Sequence, residues 1–173
     1  MKRIWIAGSS GSGKTTLANL ISEKSGIPIY HRDYITWHED FTMRSEEEQI
    51  ALTKNITKAE KWIFEGARFT SSRIDGRLDR CDTIINLDMN RFICAYRVFK
   101  RARKQSKRTD LSAVDRQPCS FNLLRYVLWE YPRKHNQRKK VFDLAKEKGI
   151  KIITLKTRKD VLSFLTNNEF NSV

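Results

Sequence analysis

Five short apolar segments alternate with amphipathic segments along the chain. Each apolar segment is rich in isoleucine and other residues that favour β-structure, which predicts a buried strand. Between these segments, apolar residues recur at helical spacing, so predicted strands and helices alternate. This alternation predicts an α/β fold of three layers, with helices on both faces of a parallel sheet. The predicted strands cover residues 3–7, 27–30, 61–65, 83–87 and 151–155.

The helical segments carry their own signals. Ser45 and Glu48 have the spacing of a capping box, which predicts the start of a polar helix. Segment 71–80 is interpreted as a short polar helix or a turn. No linker or repeat divides the 173 residues, so one domain spanning 1–173 is expected. The helix predicted over 91–104 is expected to turn four apolar side chains inward: Ile93, Tyr96, Val98 and Phe99.

A complete G-x-x-x-x-G-K-[ST] phosphate-binding loop follows the first predicted strand and opens the first predicted helix. Its glycines let successive backbone N–H groups turn toward one anion, and the helix N-terminus adds partial positive charge there. A turn that only joins a strand to a helix is the alternative, but such a turn has no use for the Lys-Thr pair. The candidate nucleotide-binding residues are Gly8, Ser9, Ser10, Gly11, Ser12, Gly13, Lys14, Thr15 and Thr16.

Three residues are candidates for the phosphates and their metal. Lys14 is expected to reach the β- and γ-phosphates and to act in catalysis, and the Thr15 hydroxyl is expected to ligate Mg²⁺. Glu65 ends the third predicted strand, where P-loop proteins hold the Mg²⁺ shell through a carboxylate. The alternative for Glu65 is a strand-end acid that faces solvent.

Residues after the second and third strands are candidates for the phosphoryl acceptor. Asp33 should face the cleft at the carboxyl ends of the strands, as a general base or hydrogen-bond acceptor for the acceptor hydroxyl. A loop aspartate that caps a turn is the alternative. Trp37 either stacks on a planar group or closes the edge of the core. Arg68 is placed to bind an anionic group of the acceptor.

Arg97 and Arg101 lie one turn apart on one face of the helix predicted over 91–104, which follows the fourth strand. Two arginines so close repel unless an anion joins them, so they are predicted to clamp the transferred phosphate and act in catalysis. A merely solvated face is the alternative. Segment 105–118 is polar and basic and lacks periodicity, which gives it the size and position of a lid over the nucleotide. Arg103 and Arg108 are the further lid cations considered.

The net charge of +14 is concentrated in two segments. Residues 97–108 hold seven Lys/Arg and residues 133–140 hold five, without an acid in either. Such clusters suit phosphate contacts and favour an alternative function, a nucleic-acid-associated protein that uses ATP binding as a switch. Weak nonspecific nucleic-acid binding is therefore an open expectation. No helix-turn-helix, zinc-finger or aromatic strand motif accompanies the charge.

Composition excludes several other classes. A hydrophobic content of 39% and a charged content of 31% are typical of a soluble globular protein, and no apolar run approaches the roughly 18 residues of a membrane span. The three cysteines are widely spaced and odd in number, which predicts reduced thiols in a cytoplasmic protein. The three histidines lack metal-ligand spacing. D-x-x-G and N-K-x-D strings are absent, which argues against a GTPase.

With Lys14 and Asp33, the chain resembles the P-loop small-molecule kinases related to adenylate and shikimate kinases. Taken whole, it resembles more closely the bacterial DNA topology modulation proteins of the FlaR type, over nearly its full length. Beyond the loop, the likeness rests on an ordered set of motifs: His31-x-Asp33 with Trp37, then segments 62–66, 81–88, 96–101 and 131–133, and Arg108-x-Asp110.

The resemblance implies an adenylate-kinase-like core with strand order 2-3-1-4-5 and ATP as the phosphoryl donor. It also implies that Arg97 lies near the adenine or the lid entrance and that Arg101 lies near the phosphates. The chain differs from the family in carrying Glu65-Gly66 where Asp-Gly is usual, and residues 67–69 in place of the usual Asn-Tyr. The leading hypothesis is a Mg²⁺-dependent kinase of a small acceptor: a nucleoside, a nucleotide or a similar metabolite.

Overall fold

The computed structural model describes residues 1–40, 42–105 and 120–167. In these ranges five strands form one sheet: β1 Arg3–Gly8, β2 Ile29–His31, β3 Trp62–Glu65, β4 Thr83–Leu87 and β5 Lys151–Leu155. Their order is β2-β3-β1-β4-β5, and every neighbouring pair is parallel. The parallel sheet predicted from the alternation of elements and the strand order implied by the resemblance are both confirmed.

Helices connect the strands. They are α1 Lys14–Ser25, α2 Arg32–Thr36, α3 Glu46–Thr57, α4 Arg77–Arg80, α5 Arg91–Gln105, α6 Phe121–Arg125, α7 Tyr131–Arg133, α8 His135–Glu147 and α9 Arg158–Asn167, with a π-helical turn at Tyr126–Glu130. The capping box at Ser45 and Glu48 forms at the start of α3, with both reciprocal hydrogen bonds. The predicted helix start is confirmed there.

Pro132 does not interrupt the helical path of the chain. Tyr131 donates its N–H to the carbonyl of Tyr126, five residues back, which is the π-helical pattern. Proline has no N–H for the carbonyl of Leu128, and Arg91 Nη1 donates to that oxygen at 3.2 Å. The helical path therefore continues past the proline, and a turn at Lys134 precedes α8.

The side chains of β1 alternate between two buried layers. Ile4 and Ile6 pack with residues of α1 and α9, whereas Trp5 and Ala7 pack with residues of α7 and α8. All four side chains are fully buried. Because successive strand residues point to opposite faces, this alternation places a helical layer on each side of the sheet. The three-layer α/β architecture is confirmed.

Helix α5 does not face the core as predicted. Cys94 and Val98 are buried against Val127 of the π-helical turn, whereas Ile93, Tyr96 and Phe99 are exposed. The inward orientation predicted for those three side chains is wrong. The physical reason is a close approach: a Cβ at Gly11 of the loop would collide with the carbonyl oxygen of Cys94. Only a narrow helix face of small side chains fits so near the loop backbone.

Parallel pairing brings the carboxyl ends of the strands to one edge of the sheet. The phosphate-binding loop follows β1 there, α2 follows β2, and the segment 66–70 follows β3. Helix α5 begins four residues after β4. This edge carries the candidate functional residues.

Candidate active site

The loop between β1 and α1 is a tight turn that borders open space. Ser12 donates its N–H to the carbonyl of Ser9 at 3.2 Å. Gly11 and Gly13 adopt φ angles of 78° and 99°, in the left-handed region that favours glycine. A Cβ at Gly13 would meet no atom within 4 Å, because this residue borders open space. Helix α1 begins at Lys14, so its first N–H groups, which lack intrahelical partners, point toward the same space.

Lys14 and Thr15 both contact the acid at the end of β3. The ammonium of Lys14 donates to the Ser9 carbonyl at 3.0 Å and lies 3.6 Å from Glu65 Oε1. The Thr15 hydroxyl donates to Glu65 Oε2 at 3.3 Å. Glu65 is buried, so it does not face solvent. The lysine predicted to bind phosphate and the two predicted metal ligands therefore meet in one cluster.

His31 is a member of this cluster that sequence reasoning missed. Its Nδ1 lies 3.0 Å from Glu65 Oε2. Burial favours the neutral form of Glu65 and by itself would raise its pKa. The hydrogen bond from His31 and the charge of Lys14 stabilise the carboxylate more, so the pKa of Glu65 is lowered from 4.5. His31 ends β2 and pairs in register with Glu65. The signal was the strand-end position, which becomes informative once the pairing of β2 with β3 is known.

The chemistry of the loop and the cluster fits a triphosphate with Mg²⁺. Among the described residues, Gly13 and the start of α1 border open space, so the first N–H groups of the helix and the Lys14 ammonium are donors that a phosphate oxygen in the cavity can reach. Thr15 and Glu65 offer oxygen donors, which Mg²⁺ prefers. No group of three or more His, Cys, Asp or Glu in the described ranges could hold a metal ion. The residues therefore suit a metal that takes most of its ligands from phosphate and water.

A cavity of about 1040 Å³ opens in front of the loop. Lys14, Thr15 and Glu65 line one part of it. The other predicted site residues that line the same cavity are Thr16, Asp33, Trp37, Arg68, Arg97 and Arg101. The structure thus brings together in one space the residues predicted for nucleotide, metal and acceptor. Of the loop, Gly8, Ser10, Gly11 and Gly13 also line it, whereas Ser9 and Ser12 lie beneath it as buried residues.

Arg32 and Arg68 both line the cavity. Arg68 donates to Glu46 at 2.8 Å and to the amide oxygen of Gln49 at 3.0 Å, and Arg32 donates to the same amide oxygen at 3.2 Å. Burial, with the positive charges of Arg77 and Arg68, lowers the pKa of Arg32 to about 10. The sequence analysis did not single out Arg32. Its signal was its place beside Asp33, at the start of α2.

Asp33 lies in the first turn of α2, and Trp37 directly follows that helix. The backbone of Trp37 bridges to Met43, and its side chain is partly exposed at the cavity wall. Arg97 reaches from α5 to the loop, with Nη1 3.5 Å from the carbonyl oxygen of Gly11. Of the expected lid, 105–118, only residue 105 belongs to the described residues. Arg108 therefore lies outside them. Sequence reasoning also missed six cavity-lining residues beyond the lid segment: Ser120, Leu123, Tyr126, Tyr131, Lys134 and Gln137.

Within the described part of the chain, no helix is long and apolar enough to cross a membrane. No protein-family model matches the chain, and no curated protein matches it.

Solved structures do match, and three of them are shikimate kinases. The enzyme from Bacteroides thetaiotaomicron has a TM-score of 0.58 and 19% identity, over 96% of this chain and 95% of the other. The enzyme from Acinetobacter baumannii, in complex with shikimate, has a TM-score of 0.55 and 15% identity, over 96% and 90%. The enzyme from Aquifex aeolicus has a TM-score of 0.52 and 15% identity, over 95% and 94%. The chain therefore has the fold of the P-loop kinases.

Proposed function

We propose that this protein is a Mg²⁺-dependent kinase that transfers a phosphoryl group from ATP to a hydroxyl of a small acceptor. One observation carries the proposal: the phosphate-binding loop and Asp33 line the same cavity of about 1040 Å³. A space of this size accommodates a nucleotide and a second small molecule. Fold-level likeness to solved kinases supports the reaction class by analogy.

On the donor side, Lys14 and the N–H groups of the loop bind the phosphates. Thr15 and Glu65 orient the metal, which when bound neutralises charge on the phosphate oxygens. The clustering of these three side chains within 3.6 Å supports their shared role. Arg97 and Arg101 border the cavity from α5 and stabilise the charge that develops on the transferred group.

On the acceptor side, Asp33 accepts the proton of the attacking hydroxyl. The hydroxyl oxygen forms a bond to the γ-phosphorus, the bond from that phosphorus to the bridging oxygen breaks, and ADP leaves with the electron pair. Trp37 stacks on the acceptor where it lines the cavity. Proximity and charge stabilisation supply most of the rate enhancement in such reactions.

The acceptor carries an anionic group as well as a hydroxyl. Arg32 and Arg68 share the neutral amide oxygen of Gln49, so their guanidinium groups are held side by side at the cavity wall. A carboxylate or phosphate of the acceptor would pair with Arg32 and would compete with the exposed Glu46 carboxylate for Arg68 in that arrangement. This feature favours nucleotides and hydroxylated carboxylic acids over neutral nucleosides as acceptors.

The test is ADP formation with Mg²⁺·ATP and a panel of nucleosides, nucleoside monophosphates and hydroxylated carboxylic acids. Shikimate belongs in the panel because one neighbouring structure contains it. We expect an anionic acceptor to stimulate ADP formation, and Lys14→Ala to abolish the stimulation without unfolding the protein. Lys24→Ala, at the exposed end of the same helix, is the matched control and should behave as wild type.

Full turnover by Lys14→Ala would overturn the proposal. Asp33→Asn separates the two halves of the site, because it should retain ATP affinity and lose transfer by about 10²–10⁴-fold. Tight ATP binding that no acceptor converts to ADP formation would favour the alternative instead, an ATP-binding switch without kinase turnover.

A further inference from the structure

Helix α5 presents three aromatic rings on one exposed face. Phe92, Tyr96 and Phe99 are 63%, 62% and 47% exposed. Their spacing of four and three residues places them in one stripe along the helix, with rises of about 6 Å and 4.5 Å between them. Single exposed apolar residues are ordinary, but a continuous stripe of large rings marks an interaction surface. We call these three residues the α5 aromatic face.

Cations flank the α5 aromatic face. The guanidinium carbon of Arg91 lies 5.0 Å from the ring centroid of Phe92, and that of Arg103 lies 5.9 Å from the centroid of Phe99. Lys100 is exposed on the same side of the helix. In the sequence, residues 89–109 contain no Asp or Glu. A polyanionic partner that offers flat groups to the rings would therefore suit this face.

We propose that the α5 aromatic face binds a single-stranded polynucleotide, whose bases stack on the three rings and whose phosphates pair with the flanking cations. Aromatic rings interleaved with cations are the combination used for single strands without sequence preference. Duplexes suit the face less, because their bases are already stacked on one another. The sugar takes no part in these contacts, so oligo(dT) is a sufficient probe.

Two other occupants suit the face less well. A second copy of the chain would bring the same cations against this face, and each copy carries a net charge of +14, so the copies repel. An acidic protein would pair with Arg91 and Lys100 but would offer the three rings no flat partners. Arg97 and Arg101 border the cavity from a neighbouring side of α5. The polynucleotide site is thus separate from the proposed catalytic site, and each can fail independently.

The experiment measures the fluorescence anisotropy of labelled oligo(dT), about 15 nucleotides long, with the full chain at ~0.05 M and ~0.15 M salt. The test variant, Phe92→Leu/Tyr96→Leu/Phe99→Leu, keeps an apolar surface and removes the π faces. We expect affinity for oligo(dT) to fall by about tenfold per ring lost. The dependence of that affinity on salt concentration should not change, because all cations remain. Phe92→Tyr/Tyr96→Phe/Phe99→Tyr keeps the rings and should bind within about threefold of wild type.

The control Lys139→Ala/Lys140→Ala removes two exposed cations of the other basic segment, on α8. It should reduce affinity less than the leucine variant does. Equal affinity of the leucine variant and wild type would overturn the proposal, as would equal binding of duplex DNA or equal competition by polyglutamate. A wild-type dimer that the leucine variant converts to monomer, without oligonucleotide binding by either, would identify a second copy as the occupant and would also overturn it.

Discussion

The ammonium of Lys14 lies 3.6 Å from the carboxylate of Glu65 and 3.0 Å from the carbonyl of Ser9. This one cation joins the phosphate-binding loop after β1 to the acid at the end of β3. Both side chains are largely buried, so their charges interact more strongly than surface charges do. A change at Glu65 should therefore affect the loop as well as the metal.

Neutralising Glu65 should weaken the response to magnesium. In Glu65→Gln the side chain keeps its size but loses the charge that we propose orients the metal, so we expect Mg²⁺ affinity in the presence of ATP to fall about 10–100-fold. Calorimetric titration of Mg²⁺ into the ATP complex measures this, alongside the Mg²⁺ dependence of ADP formation. Glu23→Gln, an exposed acid on α1, is the control. Unchanged Mg²⁺ affinity in Glu65→Gln would remove Glu65 from the metal site.

Glu65 should also make stability depend on pH. Its folded-state pKa is lowered from 4.5 because His31 and Lys14 stabilise the carboxylate despite its burial. A lowered folded pKa means that the carboxylate contributes stability above its ordinary pKa, and that this contribution is lost as pH falls through the folded value. The difference in unfolding free energy between wild type and Glu65→Gln should therefore shrink below about pH 4.5. Urea denaturation at pH 3–7 measures it, and a constant difference would contradict a lowered pKa.

The sequence predicted those site residues that belong to a contiguous motif or that follow a predicted strand directly. The loop needs its glycines and its Lys-Thr pair in order, so residues 8–15 were recognisable without tertiary information. Strand-end position indicated Glu65 and Asp33, because parallel strands collect their carboxyl ends at one edge. Their roles remain predictions until the variants are measured.

The residues that escaped prediction depend on contacts between distant segments. His31 reaches Glu65 only because β2 and β3 pair in that register. Arg32 lies so close to Gly66 that a Cβ added at Gly66 would be 2.6 Å from the Cβ of Arg32. Helix α5 was assigned the wrong face because its aromatic residues were assumed to be core. The loop backbone, which excludes large side chains beside Gly11, decides that orientation instead.

Alanine substitutions at three glycines should distinguish the cost of backbone strain from the cost of a steric clash. Gly11, Gly13 and Gly26 all have positive φ angles, so alanine at each should cost about 1–2 kcal/mol of unfolding free energy. Gly11→Ala should cost about 1–3 kcal/mol more, because its Cβ collides with the backbone of Cys94 on α5. Chemical denaturation measures all three.

Nucleotide binding should rank these variants differently. Gly13 lines the cavity and a Cβ there would stand in open space, whereas Gly26 caps the far end of α1. We therefore expect Gly13→Ala to lose affinity for a non-hydrolysable ATP analogue and Gly26→Ala to retain it at the same stability cost. Equal affinities in these two variants would mean that Gly13 does not face the phosphates.

The final prediction concerns the support beneath the acceptor side. Arg77 is buried, and its guanidinium carbon lies over the rings of Trp5 and Phe64, 4.7 Å from each centroid. Its guanidinium donates to Asp75 at 2.7 Å and to the carbonyl of Arg68 at 2.7 Å. Arg77 therefore links the buried Asp75 to the segment that carries Arg68, which we propose binds the phosphoryl acceptor. Arg77 lies in segment 71–80, which the sequence indicated only as a short polar helix or a turn.

Arg77→Met fills similar space but leaves Asp75 as a buried carboxylate without its partner, so unfolding free energy should fall by about 3–5 kcal/mol. Asp75→Asn/Arg77→Met removes the uncompensated charge and should recover part of that loss, because the amide oxygen still accepts from the backbone N–H of residue 77. Arg73→Met, exposed in the same segment, should change stability by less than about 0.5 kcal/mol. Denaturant unfolding compares the three, and a double variant no more stable than Arg77→Met would mean that the lost guanidinium contacts, rather than the stranded charge, account for the destabilisation.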